Sequence, residues 1–243
     1  MAHGMPDDSD VESDSNVSKS LDLAELAVRL GALPSYDRRG DVVYWNDFAA
    51  GLGILTADTA AGSLAQRLGN VHGIFSGVSL EMQSWDIEDD YAFVQFTVVL
   101  LETKTLGLEV LYTWGHLPKS VRLNIEVTVA GTRFLYYVDV LLATGEVLVY
   151  NALGAWELAG VFGGISGNTE WLQSAKLVVD LGNLRYARIT LNGQTCLLTA
   201  YAPYQFSYGG NNAVVAEMRI RATALDYAEA YLAGVILTQN EPL

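Results

Sequence analysis

The sequence predicts an all-β chain, an antiparallel two-sheet sandwich behind one short N-terminal helix and a polar N-terminal arm. Three observations lead there. Hydrophobic residues make up 51% of the 243 positions and charged ones only 17%, a balance that fills a sizeable core but leaves few solvated helix faces. From Asp41 onward, short runs of β-branched and aromatic residues are punctuated by Gly and Asn, at the spacing of sandwich strands. Between two such runs, Asn192-Gly193 supplies the positive φ angles of a two-residue hairpin turn.

Residues 1–20 are predicted to be an acidic, flexible arm. Asp7, Asp8, Asp10, Glu12 and Asp14 fall within the first eighteen positions, which hold no Lys or Arg, and the segment has too little apolar surface to offset the cost of ordering its backbone. Residues 21–40 are predicted to be a short helix and linker. Leu23, Leu26, Ala27 and Leu30 recur at helical spacing, Asp22 and Glu25 resemble a capping box, and Gly31 with Pro34 closes the run.

Residues 41–243 are predicted to be the sandwich. Strands are expected near 42–48, 74–84, 91–101, 107–115, 121–129, 132–141, 145–150, 175–181, 185–191, 194–200, 214–223 and 230–238. The alternation is clearest in Val78 to Gln83 and in Val121 to Val127, where apolar and polar residues take opposite faces as in a half-buried antiparallel strand. Ala130-Gly131 marks a second hairpin, and Gly160 to Gly167 reads as a flexible connection. No repeat of 20 to 50 residues points to a solenoid or propeller.

Several of these segments resemble known sandwich domains. Gly40-Asp41-Val42-Val43-Tyr44-Trp45-Asn46-Asp47-Phe48 is similar to the first strand of jelly-roll carbohydrate-binding modules and concanavalin A-like domains, and Gly73 to Leu80 resembles their Gly-x-Tyr-Ser-Leu strand. Lys176 to Asp180 with Tyr186 to Gly193 is similar to the paired strands of concanavalin A-like and laminin G-like sandwiches. Ala230 to Leu237 resembles their closing strand, so the resemblance implies that the first and last strands pair. It also implies a structural calcium held by acids in those strands, but Ala49, Ala50 and Ala233-Gly234 stand there in this chain. By type, the chain is similar to such domains in bacteriophage virion decoration or tail proteins.

Charge and motif chemistry narrow the function. Fourteen basic residues against 28 acidic ones give a net charge of −14, which repels phosphate backbones and anionic lipid; neither nucleic acid nor membrane is an expected partner. The chain is expected to be made in the cytoplasm without a signal peptide, and to reside on a virion or particle surface. Cys196 is the single cysteine and reads as a small buried hydrophobe. His3, His72 and His116 are scattered, and the five tryptophans read mostly as core.

The Glu-x-Asp-x-x-Glu order of sandwich glycosidases is missing at Glu88-Asp89-Asp90, where Phe93 holds the place of the last acid. Asp86, Glu88 and Asp90 alternate as in a calcium loop, but Tyr91 and Thr97 stand where an EF-hand needs Gly and Glu. The cluster reads as a solvated turn. No cofactor, metal or catalytic residue is therefore expected.

The stretch Tyr201 to Asn212 is the candidate binding site. If it is extended, Tyr204, Phe206 and Tyr208 share one face, while Tyr201, Asn211 and Asn212 flank them; rings of this kind stack on sugars or anchor a partner protein. The alternative is a strand edge that covers the core. The leading expectation is a non-catalytic structural or assembly protein, such as a virion decoration, capsid-associated or tail component, with other protein subunits as partners. The alternative is a carbohydrate-binding module that recognises a glycan through the aromatic face.

Overall fold

A computed structural model of the chain describes residues 40–59, 67–69, 78–85, 90–99, 104–164, 172–223 and 227–243. The arm, the helix from Leu23 to Leu30, and the positions Asp86, Glu88 and Asp89 lie outside the described residues, as do His3, His72, Trp171 and residues 165–167.

Two antiparallel sheets pack face to face. In the first, β13 (Gln194–Leu197), β12 (Arg185–Leu191), β11 (Gln173–Asp180), β6 (Thr105–His116), β16 (Ala228–Gln239), β4 (Ser79–Ser84) and β3 (Arg67–Gly69) lie side by side, and β1 (Asp41–Asn46) also pairs with β16. In the second the order is β10 (Trp156–Val161), β9 (Glu146–Tyr150), β8 (Thr132–Leu141), β7 (Ser120–Val129), β15 (Ala213–Arg221), β5 (Tyr91–Val99) and β2 (Thr56–Thr59), with β14 (Tyr204–Ser207) also on β8.

The first and last strands pair as the resemblance implies, Asp41 opposite Gln239 and Trp45 opposite Ile236. This joins the two ends of the domain within one sheet and shortens its open edge. Both sequence-read hairpins form. Asn192 and Gly193 have φ of 49° and 81°, and Ala130 and Gly131 have 47° and 80°, the mirror-image turn whose twist suits flanking strands.

The core lies between the sheets. Leu80, Met82, Leu108, Val110 and Tyr112 from the first meet Val121, Leu123, Ile125, Ala216 and Met218 from the second. Each fully buried aliphatic side chain contributes about 1.5–3 kcal/mol.

The outer side of the first sheet carries a buried ion cluster. After β16 the chain crosses this sheet, and the Glu241 carboxylate lies 2.8 Å from Lys176 Nζ and 3.3 Å from Arg188. Asn240 N–H donates to the Thr105 carbonyl, and Thr105 Oγ1 to the Glu241 carbonyl. Gly107 makes room for this tail, since a β-carbon there would come within 2.9 Å of Glu241 Oε1.

Some expectations change. Gly160 and Val161, read as a flexible connection, belong to β10, which pairs with β9 through a bulge between Leu158 and Gly160. The strand expected at 194–200 ends at Leu197 because the chain turns at Leu198, where Tyr201 N–H bonds back to its carbonyl. Trp114 is core, but Trp85 and Trp156 are exposed. Cys196 is half-buried rather than buried. It touches β10, where a β-carbon on Gly160 would come within 2.7 Å of its Sγ, and burial pushes its thiol pKa up.

Candidate functional site

The outer face of the second sheet carries the candidate site, and strand alternation builds it. Val121, Leu123, Ile125 and Val127 of β7 enter the core, which turns Arg122, Asn124, Glu126 and Thr128 outward. On β15, Val214, Ala216, Met218 and Ile220 go inward, leaving Glu217, Arg219 and Arg221 outside. On β8, Tyr136, Val138 and Val140 go inward, leaving Arg133, Tyr137 and Asp139 outside.

Register then aligns one row across six strands. Gln95 stands opposite Glu217, Glu217 opposite Asn124, and Asn124 opposite Tyr137. Tyr137 stacks on Tyr150 at 5.8 Å between ring centroids, and Tyr150 stands opposite Trp156. The row thus runs from amide and carboxylate at one end to aromatic rings at the other.

Hydrogen bonds and ion pairs fix the polar half. Asn124 Nδ2 donates to Glu217 Oε1 at 2.5 Å, and Arg219 donates to the same oxygen from two nitrogens at 2.8 and 3.0 Å. Tyr137 Oη donates to Glu126, whose other oxygen accepts from Arg133 at 3.0 Å. Asp139 Oδ2 takes both Arg122 at 2.9 Å and Arg221 at 2.7 Å. Asn124 Oδ1, Asp139 Oδ1 and Arg122 Nε are buried and have no hydrogen-bond partner among the described residues.

Burial pushes the Glu217 carboxyl above the usual carboxylate range, against the pull of Arg219 and Asn124. Burial, followed by the bond to Glu126, likewise holds the Tyr137 hydroxyl protonated far above its ordinary value.

Of the residues predicted from sequence, Tyr204, Phe206 and Tyr208 do line up on one face, with successive ring centroids 6.0 and 6.3 Å apart. They continue the aromatic half of the row, since Tyr204 lies 5.7 Å edge-on to Tyr150. Phe206 and Tyr208 are 37% and 38% exposed, so this strand does not serve as a cover for the core. Arg133 sits 3.7 Å over the Tyr208 ring.

The flanking residues do other things. Tyr201 packs against the core and its hydroxyl donates to the Leu158 carbonyl at 3.4 Å. Asn212 Oδ1 accepts the Ala130 N–H at 3.0 Å and steadies the β7–β8 hairpin, while Asn211 is exposed. Asp90, read from sequence as part of a solvated turn, is buried instead, and its Oδ2 accepts the Trp85 N–H at 3.1 Å. Among the described residues, no group of three or more His, Cys, Asp or Glu is placed to hold a metal ion.

The polar row escaped the sequence reading. Its signal was present: Arg122-x-Asn124-x-Glu126 and Glu217-x-Arg219-x-Arg221 repeat long polar groups at alternate positions on two strands.

No protein-family model and no curated protein matches the sequence. Solved structures do match. A carbohydrate esterase from the Shiga toxin-encoding bacteriophage phi24B superposes with a TM-score of 0.51 at 11% identity, covering 83% of this chain and 100% of that one. The CBM2 module of an evolved Dit protein from Lactobacillus casei phage J-1 gives 0.47 at 8% identity, covering 84% and 98%. A sialidase gives 0.46 at 13% identity, covering 86% of this chain, which spans only 19% of the sialidase's length. At these identities the likeness is one of fold, and the fold is the jelly-roll β-sandwich on which carbohydrate-binding domains are also built.

Proposed function

We propose that the chain is a non-catalytic glycan-binding sandwich whose binding surface is the outer face of the second sheet. The row from Gln95 through Glu217, Asn124, Tyr137 and Tyr150 to Trp156 carries this reading. Sugars present hydroxyls at their edges and apolar C–H groups on their faces, so they call for fixed polar side chains beside aromatic rings. Six strands spaced about 4.8 Å apart make the row roughly 24 Å long. That length suits an oligosaccharide better than a single sugar. Glu126, Asp139 and Glu217 are each held by arginine; Asp139 and Glu217 are buried and brace the arginines from beneath, Glu126 is the more accessible acceptor, and no proton transfer is assigned to them.

A second reading, as a structural or assembly protein such as a virion decoration, capsid-associated or tail component, is favoured by a different observation. The edge strands β10 and β13 adjoin, and they expose Leu158, Val161 and, at 71%, Leu197, with Leu153 nearby at 87%. Unguarded apolar edges of this kind are where protein subunits join. One molecule can do both, since the edge and the face are different surfaces.

Affinity electrophoresis through gels cast with soluble polysaccharides tests the first reading. At least one polymer should retard the wild type, with Trp156→Ala or Tyr204→Ala weakening the retardation several-fold at unchanged melting temperature. An unretarded wild type that instead self-associates, and becomes monomeric on Leu158→Asp with Leu197→Asp, would put assembly first.

A further inference from the structure

We propose that the glycan taken by this face is acidic, a uronate-type sugar whose carboxylate is received by Arg122 and Arg219; the inference rests on reading the face as a glycan surface. The two arginines stand directly opposite one another on β7 and β15, a position where like charges repel across a sheet. Each has a counter-charge beside it, Asp139 for Arg122 and Glu217 for Arg219. Asp139, however, also serves Arg221 through the same oxygen. Arg122 is thus half-compensated, and its buried Nε reaches no acceptor among the described residues.

The charge balance at the centre of the face supports this. On β8, β7 and β15, Arg122, Arg133, Arg219 and Arg221 are set against Glu126, Asp139 and Glu217, one positive charge in excess on a chain whose net charge is −14, while Glu146 on β9 and Asp58 on β2 stand at the margins of the same face. Concentrating scarce arginines there is the reverse of what solubility asks of an acidic protein.

The arginines are also held ready. Arg219 lies 3.9 Å over the Tyr91 ring and Arg122 4.5 Å over the Trp156 ring. A guanidinium fixed against a ring keeps the planar fork that matches a carboxylate's two oxygens, and it loses little freedom when that carboxylate docks. Arg122 also links the charge to the aromatic end of the row, so one sugar unit can meet both. A neutral glycan would leave the surplus donors of Arg122 and Arg219 without charged acceptors. The overall negative charge works against loose adsorption of polyanions, so retention of one would report a specific contact.

The test uses matched polymers: polygalacturonate, and the same polymer with its carboxyls reduced to primary alcohols. Alginate and galactomannan serve as a second acidic and a neutral probe, all read by affinity electrophoresis of the full chain. An acidic polymer should retard the wild type, and carboxyl reduction should weaken binding about tenfold or more. Arg122→Gln and Arg219→Gln should bring both polymers to the same weak level, and Arg219→Lys should lose part of the effect because a lysine lacks the fork. Thermal melts confirm that the variants fold. Equal binding of reduced and unreduced polymer, or binding of galactomannan alone that is lost on Trp156→Ala, overturns the acidic class and leaves the glycan reading standing. Retention by no polymer overturns both, and retention by polygalacturonate that folded arginine variants do not change overturns the assigned site.

Discussion

The Tyr186 hydroxyl, coming from the first sheet, accepts the backbone N–H of Tyr137 on the second at 2.9 Å. It also donates to the Tyr150 carbonyl at 2.7 Å. Topology explains why. One edge of β8 is divided between two partners, Leu135 and earlier residues pairing with β14 and Val138 onward with β9. Tyr137 falls in the gap and lacks a strand partner on that side. An N–H shielded from water needs a partner, and a tyrosine reaching through the core supplies it. Two adjacent members of the row are therefore positioned by a residue of the opposite sheet.

Tyr186→Phe removes that hydroxyl and leaves a part-buried N–H and a part-buried carbonyl unpaired, at a cost of about 1–3 kcal/mol. Urea unfolding should show that loss. Glycan retardation should fall by more than it does for Ile189→Val, a core change with no link to the row. A variant with wild-type stability would show that the backbone at Tyr137 is satisfied in another way.

Glu241 ties the C-terminal tail to Lys176 and Arg188, and all three side chains are buried. Removing one partner from a buried ionic cluster leaves the others uncompensated, typically at about 3–5 kcal/mol. Glu241→Ala should cost a loss of that order in urea unfolding, with Glu241→Gln falling between the variant and the wild type. A change below about 1 kcal/mol, the scale of a surface ion pair, would mean that the tail leaves the sheet in solution.

The Glu217 carboxyl, raised by burial, gives a pH signature of known sign. A folded-state value above the unfolded value of about 4.3 means a contribution to stability that is present at lower pH and lost as pH rises through the folded value. Glu217→Gln has nothing to titrate there. The melting temperature of the wild type minus that of the variant should therefore fall as pH rises above the unfolded value of about 4.3. A difference that rises with pH would mean that Arg219 and Asn124 outweigh burial.

Much of the fold was legible because apolar and polar residues alternate along these strands, although the polar face is itself largely covered: Asn124 and Thr128 of β7 are buried, and β4, expected to be half-buried, is buried on both faces. The strand expected at 132–141 is β8 to the residue, and the one at 121–129 differs from β7 by one position. β10 and β14 were missed for opposite reasons. The run Trp156–Val161 carries a glycine and a bulge that break its period, and Tyr204–Ser207 is too short and too exposed on both sides to show one. The aromatic ladder could be read because Tyr204, Phe206 and Tyr208 lie on one segment. The polar row could not, because Gln95, Asn124, Tyr137 and Glu217 each look like the solvent half of an ordinary strand, and only the cross-strand register brings them together. The tryptophans depart from the core expectation because size does not dictate burial: Trp156 ends the row at the sheet edge, packed against Tyr150.

The most direct test of the central claim is a map of glycan contacts on the protein in solution. Isotope-labelled protein titrated with the polysaccharide that retards it should show backbone and side-chain shifts at Gln95, Asn124, Tyr137 and Tyr150, together with the Trp156 indole. Shifts confined to the first sheet around Lys176 and Arg188, or to the edge at Leu158 and Leu197, would contradict the assignment of the outer face of the second sheet as the binding surface.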